Sequence, residues 1–333
     1  MVKFKYNCVL IPNLVVIHSN CSKIHYFSFG EIIEPNLFNN TPCKYDLIFD
    51  IKPRKYFAMI KDRNFEYEYS DSIRISLDDE INLIYNKNIG ITKIFMYISM
   101  SGDTISVFVD KLYYLLFKLK VENILPPGVH LRDLLYMKLV FDKYIPLHSA
   151  SFAINKNNGF LILAPPNTGK SLTVSLLANN GFKVLSEDIA VLDLEKLEIY
   201  SAPYTATMLH ELSKLKYLPL LSYYLPKRLK SFGEIFKKNL IPRAKLKKIF
   251  ILEKSKGKEE KRKKDYLVKI LNLTRNEFNI RSNPVINSIL YYLRKDIESY
   301  EYDKIYKLVN KVDVIILRAK DPFEYYNMLV DML

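Results

Sequence analysis

The first third of the chain consists of short apolar or alternating segments separated by polar turns. Pro-Asn, Asn-Asn, Asp-Arg-Asn and Ser-Gly-Asp sequences mark the turns. Alternation of apolar and polar residues over four to eight positions is typical of strands with one buried face. The pattern predicts strands at 6–11, 14–18, 45–51, 56–61, 72–77, 91–99 and 104–109. We therefore expect a smaller β-rich N-terminal domain over residues 1–125, in which no motif indicates chemistry.

The rest of the chain mixes helical and strand patterns after a Pro126-Pro127-Gly128 break. Just before that break, residues 111–120 fit either a strand or a short helix. Apolar residues three and four apart predict helices at 130–142, 171–178, 285–294 and 322–332. Apolar runs predict strands at 160–163, 183–185, 189–192, 248–252 and 312–317. The predicted fold class is therefore α/β (α+β), with a second domain over residues 126–333 and a mixed sheet.

A phosphate-binding loop is predicted where the 160–163 strand runs into Ala164-x4-Gly169-Lys170-Ser171. In such a loop, backbone N–H groups and a helix N-terminus face phosphate oxygens, the lysine reaches the β- and γ-phosphates, and the hydroxyl holds Mg²⁺. Ala164 departs from the usual pattern, which opens on glycine. We expect ATP and Mg²⁺ as cofactors, bound by Pro165, Pro166, Asn167, Thr168, Gly169, Lys170, Ser171 and Leu172.

Three further polar residues lie close to the loop in sequence. His148 precedes the 160–163 strand, and a predicted hairpin places it on the strand neighbouring that one. Glu187 and Asp188 follow Lys170 by 17 and 18 residues, at the end of the next predicted strand. One acid there can bind Mg²⁺ while a second accepts the proton of an attacking hydroxyl. We predict Lys170, Glu187 and Asp188 as catalytic residues and Ser171 and Asp188 as metal ligands.

These features resemble the nucleotide-binding core of the HPr kinase/phosphorylase family and its shorter stand-alone relatives. The resemblance covers residues 135–200 and rests on His148-Ser-Ala-Ser, the Gly159 turn, the Gly169-Lys170-Ser171 loop, the helix closing at Gly181, and Leu185-Ser-Glu-Asp188. It implies a P-loop core like that of HPr kinase and phosphoenolpyruvate carboxykinase. It also implies a kinase that moves the γ-phosphoryl of ATP to a hydroxyl, commonly a serine. His148 matches the family's active-site histidine, so the resemblance implies that His148 is a further catalytic residue. Glu187 and Asp188 match the family's paired aspartates.

The chain departs from the family at two points. Glu187 stands in place of the first aspartate, which leaves the division of base and metal roles open, with Asp188 favoured for the metal and Glu187 for the base. The glycine-rich C-terminal signature that accompanies dephosphorylation and HPr binding is missing. We therefore expect neither HPr as the substrate nor reversal of phosphorylation. Arg243, Arg275 and Arg281 are candidates for stabilising transition-state charge, and the sequence does not choose among them.

Composition indicates a compact globular protein, because 49% of the residues are hydrophobic and only nine are glycine. The three cysteines, Cys8, Cys21 and Cys43, have no C-x2-C spacing and predict a reducing environment. Pro12 interrupts the apolar stretch near the N-terminus, so no secretory signal is predicted. No apolar run approaches the length of a membrane span. We expect a soluble cytoplasmic protein without a transmembrane segment.

The positive charge is concentrated in one basic insertion, residues 214–264. This insertion holds 18 Lys or Arg against 4 Asp or Glu, and the rest of the chain balances at 32 of each. It also contains an uncharged aromatic stretch at 217–226. Two interpretations fit the insertion equally well. It is either a solvated Lys-rich helix and loop, or a surface that contacts an acidic peptide, nucleic acid or an anionic membrane.

Two main hypotheses follow, and both require ATP binding. The first is an ATP-dependent phosphotransferase whose acceptor is a protein, a peptide or a small molecule, an acidic one if the basic insertion receives it. The second is an ATP-binding switch or NTPase without phosphoryl transfer. Nucleic-acid binding through the basic insertion ranks third, because no recognisable nucleic-acid module surrounds the charges. The sequence leaves open the acceptor, the donor (ATP, GTP or pyrophosphate) and the oligomeric state, a homo-oligomer included.

Overall fold

A computed structural model of the protein describes residues 4–21, 38, 42–61, 65–77, 80–118, 129–202, 232–254, 263–277 and 283–333. Over these residues the fold is mixed α/β, with two mixed β-sheets of eight strands each. The predicted domain boundary near residue 125 lies outside the described residues and stays a prediction. Arg281 and residues 214–231 and 255–262 of the basic insertion also lie outside them.

The first sheet is built from residues 6–109. Its strands are β1 (Tyr6–Ile11), β2 (Val15–Ser19), β3 (Tyr45–Ile51), β4 (Tyr67–Ser70), β5 (Ile73–Ser76), β6 (Ile81–Ile89), β7 (Thr92–Ser101) and β8 (Thr104–Val109). They lie in the order β1-β2-β3-β8-β7-β6-β5-β4. β3 pairs parallel with both β2 and β8, and the other pairs are antiparallel. Helices α1 (Arg54–Lys61) and α2 (Lys111–Lys118) accompany this sheet.

One predicted strand of the first sheet is wrong, because residues 56–61 belong to α1. Pro53 precedes this helix, and its carbonyl accepts a hydrogen bond from Tyr56 N. Phe57 and Ile60 are buried three positions apart, which is the spacing of one helix face. The sequence pattern also missed β4 and β6, while it placed β8 at its observed bounds.

The second sheet is built from residues 144–319. Its strands are β9 (Tyr144–His148), β10 (Ala150–Asn155), β11 (Asn158–Leu163), β12 (Lys183–Ser186), β13 (Ile189–Asp193), β14 (Glu198–Tyr200), β15 (Arg243–Lys254) and β16 (Asp313–Ala319). Seven follow the order β12-β10-β11-β15-β14-β13-β9, and β16 also pairs with β15. β15 pairs parallel with β11 and β16, and the other pairs are antiparallel.

Helices cover both faces of the parallel strands of the second sheet. The helices in this part of the chain are α3 (Val129–Phe141), α4 (Lys170–Asn179), α5 (Phe232–Ile235), α6 (Lys263–Glu277), α7 (Pro284–Leu293), α8 (Ile297–Lys311) and α9 (Pro322–Asp331). Phe160 and Ile162 of β11 share a core with α4 and α9. Leu161 and Leu163 share a core with α6 and α8 on the other face. Burial on both faces explains why β11 reads as a continuous apolar run.

Helix α3 connects the cores of the two sheets. Its predicted apolar face, Leu131, Leu134, Leu135 and Leu139, is buried in a cluster with residues of both β8 and β13. Met137 and Val140 are buried as well, so the helix packs on more than one face. None of the helices in the described part of the chain is long and apolar enough to cross a membrane.

Candidate functional site

The loop of residues 164–169 lies at the edge of the second sheet where three parallel strands end. It connects β11 to α4, as the sequence predicts for the strand, the loop and the helix. Leu163 of β11 pairs with Ile251 of β15, which pairs with Ile316 of β16. Because the three strands are parallel, their carboxyl ends meet at this edge, where α/β proteins commonly bind ligands.

Two residues of the 164–169 loop adopt left-handed backbone conformations. The φ angle is 61° at Asn167 and 106° at Gly169. A Cβ atom at Gly169 would lie 2.4 Å from Pro322 Cγ, at the start of α9. Gly169 is also the N-cap of α4 and supplies no side chain to cap it. The conformation and the close approach of Pro322 both require glycine here.

The residues of the predicted nucleotide site fall into three groups by solvent exposure. Pro165, Pro166 and Asn167 are exposed, whereas Thr168 and Lys170 are buried. Gly169, Ser171 and Leu172 are half-buried. The loop therefore presents an exposed tip and a buried lysine at the first position of α4.

Asp188 brings His148 and Lys170 together. Its Oδ1 atom lies 3.1 Å from His148 Nε2 and 3.5 Å from Lys170 Nζ. Burial alone would raise the pKa of Asp188, but the hydrogen bond from His148 and the charge of Lys170 outweigh it and lower the pKa to about 2. Asp188 is therefore ionised at neutral pH, beside a lysine that is only 8% exposed.

His148 reaches this site by a different route from the predicted one. The sequence predicted it on the strand that forms a hairpin with β11, but that strand is β10 and begins at Ala150. His148 ends β9, which pairs with β13 and sets His148 opposite Ile189. The chain changes partner strands at Ser149, so the predicted hairpin holds for β10 and β11 but not for His148. Pairing with β13 is what brings His148 beside Asp188.

Glu187 occupies the same turn as Asp188, between β12 and β13, but differs in its surroundings. It is 6% exposed, whereas the Asp188 side chain is 29% exposed. The two acids therefore differ in burial. Their division into base and metal ligand stays a prediction.

A pair of buried serines, which the sequence analysis did not single out, supports this turn. The Oγ atoms of Ser151 and Ser186 are 2.5 Å apart across β10 and β12. The Ser201 hydroxyl donates to the Leu185 carbonyl at 2.6 Å. These bonds fix the end of β12, from which the acidic turn begins. Ser151 and Ser186 both lie in segments that carry the family resemblance. Those segments were the sequence signal that could have identified the pair.

Lys254 is a second residue that the sequence analysis missed. Its Nζ atom donates to the Asn167 carbonyl at 2.7 Å, from the last position of β15. The prediction ended this strand at residue 252, two residues early. Lys254 lies just past the carboxyl end of the predicted 248–252 strand. That position was the sequence signal that could have identified it.

The described candidate arginines form ion pairs elsewhere in the fold. Arg243 lies 3.6 Å from Glu198 of β14, and Arg275 lies 3.0 Å from Glu301 of α8. Among the residues that the structure describes, no group of three or more His, Cys, Asp or Glu side chains forms a candidate metal site.

Comparison with known proteins found a structural similarity and no sequence match. No protein-family model matches the chain, and no curated protein matches it. Among solved structures, the Hpr(Ser) kinase/phosphatase from Coxiella burnetii is similar over 34% of this chain and 69% of its own, with 16% sequence identity and a TM-score of 0.26.

Proposed function

We propose that the protein is an ATP-dependent phosphotransferase that moves the γ-phosphoryl group of ATP to a hydroxyl. The observation that carries this proposal is the meeting of Lys170, Asp188 and His148 at the end of the loop between β11 and α4. A cation for the phosphates, an ionised carboxylate and a histidine then lie within a few ångströms of one another. This is the donor half of a phosphoryl-transfer site.

The 164–169 loop suits the phosphates of the donor. The first turn of α4 has no side-chain cap, so its backbone N–H groups and the positive end of the helix dipole are available to an anion. Lys170, at the first position of α4, supplies the positive charge for the β- and γ-phosphates. We propose that residues 165–172 contact the nucleotide.

The residues around Lys170 also fit a magnesium ion. The Ser171 hydroxyl and the ionised Asp188 carboxylate are hard oxygen ligands, and Mg²⁺ in such sites takes one or two protein ligands together with phosphate oxygens. When bound, the ion neutralises charge that develops on the phosphates during transfer. We therefore assign Ser171 and Asp188 to the metal.

Glu187 is the proposed base. A carboxylate with a pKa of about 2, as at Asp188, is a weak proton acceptor, which leaves Asp188 suited to binding charge rather than protons. In the proposed reaction, the acceptor oxygen forms a bond to the γ-phosphorus and the bond to the bridging oxygen breaks. ADP leaves, and the hydroxyl proton passes to Glu187. His148, hydrogen-bonded to Asp188, orients that carboxylate.

The class of acceptor molecule is proposed from charge. The basic insertion, net +14 over residues 214–264, favours an acidic protein or peptide over a neutral small molecule. A serine hydroxyl is the acceptor that the family resemblance implies.

The experiment is a transfer assay with γ-labelled Mg²⁺-ATP and a panel of acidic serine peptides and small-molecule hydroxyls. Lys170→Ala should weaken ATP binding roughly tenfold or more because it removes a charged phosphate ligand. Glu187→Gln with Asp188→Asn should bind ATP yet lower transfer by roughly a thousandfold. Lys156→Ala, at an exposed turn lysine, and Asp313→Asn, at an exposed strand end, are the matched controls. Mass spectrometry locates the phosphate.

Two outcomes would favour the competing functions instead. If ATP binds through Lys170 but label is recovered only as inorganic phosphate or intact ATP, the protein is a nucleotide-dependent switch or NTPase. If the chain binds nucleic acid with an affinity that falls steeply with salt, the basic insertion serves a nucleic acid.

A further inference from the structure

The two sides of the 164–169 loop differ in chemistry. On one side, β11 pairs with β10 and β10 with β12, and the acidic turn with Asp188 follows β12. On the other side, β11 pairs with β15 and β15 with β16, and the segment leading into α9 follows β16. The loop therefore lies between the acidic turn and the start of α9.

The start of α9 is in direct contact with the loop. Pro322, the first residue of α9, approaches Gly169 so closely that a Cβ there would lie 2.4 Å from its ring. Lys254, from the end of β15 on the same side, donates to the Asn167 carbonyl. Any ligand that extends from the loop toward β16 meets these residues.

Phe323, the residue after Pro322, carries an exposed aromatic ring in the first turn of α9. Its side chain is 60% exposed, so the ring is accessible to a ligand. The neighbouring acids disfavour phosphate at this point: Asp321 caps α9 by accepting from Phe323 N, and Glu324 accepts from Lys320 N. An aromatic ring beside two carboxylates suits an uncharged, flat group.

We infer that this side of the loop binds the base of the donor nucleotide, with Phe323 as the stacking residue. We name Lys254, Pro322 and Phe323 the base subsite. This inference rests on the proposed function, which sets the direction in which the bound nucleotide extends from the loop. A triphosphate held by Lys170, with its γ-phosphate toward Asp188, extends its nucleoside away from Asp188, and the base subsite lies on that opposite side. Stacking on a ring does not distinguish one base from another, so we expect the subsite to take adenine and guanine alike.

The test compares ligands with and without a base. Affinities of Mg²⁺-ATP, Mg²⁺-GTP and magnesium tripolyphosphate are measured by titration calorimetry at fixed ionic strength. Phe323→Ala should weaken ATP and GTP binding equally, by roughly tenfold, because base–aromatic stacking contributes an effect of that order. Tripolyphosphate binding should stay within about twofold, since the phosphate contacts are untouched.

Two further variants keep the test specific. Phe323→Trp should retain the affinity for ATP because it preserves a stacking surface. Val330→Ala removes an exposed apolar side chain near the other end of α9 and should change no affinity. Circular dichroism of each variant checks that the fold is kept.

The outcomes separate this inference from the proposed function. If ATP and tripolyphosphate bind through Lys170 but Phe323→Ala leaves ATP affinity unchanged, or weakens both ligands equally, the base subsite is wrong and the phosphate site stands. If neither ligand binds to the unaltered protein, or Lys170→Ala has no effect, the proposed function fails and the base subsite fails with it.

Discussion

At the scale of single residues, the site depends on how the neighbours of Lys170 hold it. A lysine that is 8% exposed lies 3.5 Å from an ionised aspartate, and the glycine before it leaves the first turn of α4 uncapped. Burial strengthens the electrostatic interaction between such groups relative to water. The same burial makes the site sensitive to small displacements of the loop.

Gly169→Ala should disturb the loop more than an ordinary glycine substitution does. We expect a loss of unfolding free energy on the order of 2 kcal/mol and weaker ATP binding. Alanine is strained at the left-handed φ of this position, and its methyl group would also clash with Pro322. Denaturant unfolding and ATP titration measure the two effects.

The matched control for this variant is Gly90→Ala, because Gly90 has a positive φ but no atom within 4 Å of the new Cβ. Adding Pro322→Ala to Gly169→Ala should recover part of the loss, since it shortens the opposing ring. Equal losses at Gly169 and Gly90, with no recovery in the double variant, would show that the Pro322 contact is unimportant.

At the scale of elements, the acidic turn is placed by strands on both sides. β12 is held to β10 by main-chain bonds and by the Ser151–Ser186 hydroxyl pair, while β13 is held to β9, which carries His148. Asp188 lies between these two strand pairs. Its position is therefore a property of the sheet rather than of the turn alone.

Ser151→Ala should weaken this placement. It removes one partner of a buried hydroxyl pair, so we expect a cost of about 1 kcal/mol in unfolding free energy and slower phosphoryl transfer, with ATP affinity almost unchanged. Stability curves and steady-state kinetics test this. Ser151→Ala with Ser186→Ala should cost less than the sum of the two single changes. Additive costs would mean that the two hydroxyls do not interact.

At the scale of the whole molecule, an ionic cluster joins the first sheet to the second. Asp142, directly after α3, accepts hydrogen bonds from Lys44 and from Tyr45 of β3. The half-buried amine of Lys304, on α8, donates to the carbonyls of Asp142 and Tyr144. Together with the buried core around α3, this partly exposed cluster joins the two sheets.

The cluster predicts a pH-dependent stability. Burial tends to raise the pKa of Asp142, but the hydrogen bonds from Lys44 and Tyr45 lower it from 3.8 to about 2. A carboxyl with a lowered pKa stabilises the fold above about pH 4, and this contribution is lost as the pH falls through about 2. We expect Asp142→Asn to cost about 1 to 2 kcal/mol at pH 7, allowing for solvent screening.

Unfolding free energies from pH 7 to pH 2 check this prediction. The difference between the unaltered protein and Asp142→Asn should be constant down to about pH 5 and shrink below pH 4. Asp313→Asn, at an exposed aspartate on β16, is the control and should show a much smaller effect. A difference that persists unchanged at pH 2 would contradict the assigned cause.

Patterns local in sequence were enough for much of the fold. The continuous apolar run before Ala164, the glycine and lysine after it and the helical spacing that follows predicted β11, the loop and α4 in order. Short alternating segments likewise predicted most of the first sheet. The sequence failed at residues 56–61, where apolar residues suit a strand or a helix equally well and packing of Phe57 and Ile60 selected the helix.

Long-range pairing decided the rest of the candidate site. The change of partner strands at Ser149, the approach of Pro322 to Gly169 and the bond from Lys254 to Asn167 join residues far apart in the chain. Periodicity reports which face of an element is buried, but not which element buries it. The sequence by itself therefore determined the loop and its candidate chemistry, and only the tertiary structure decided what lies on each side of it, because strand order and helix docking depend on contacts that no local pattern records.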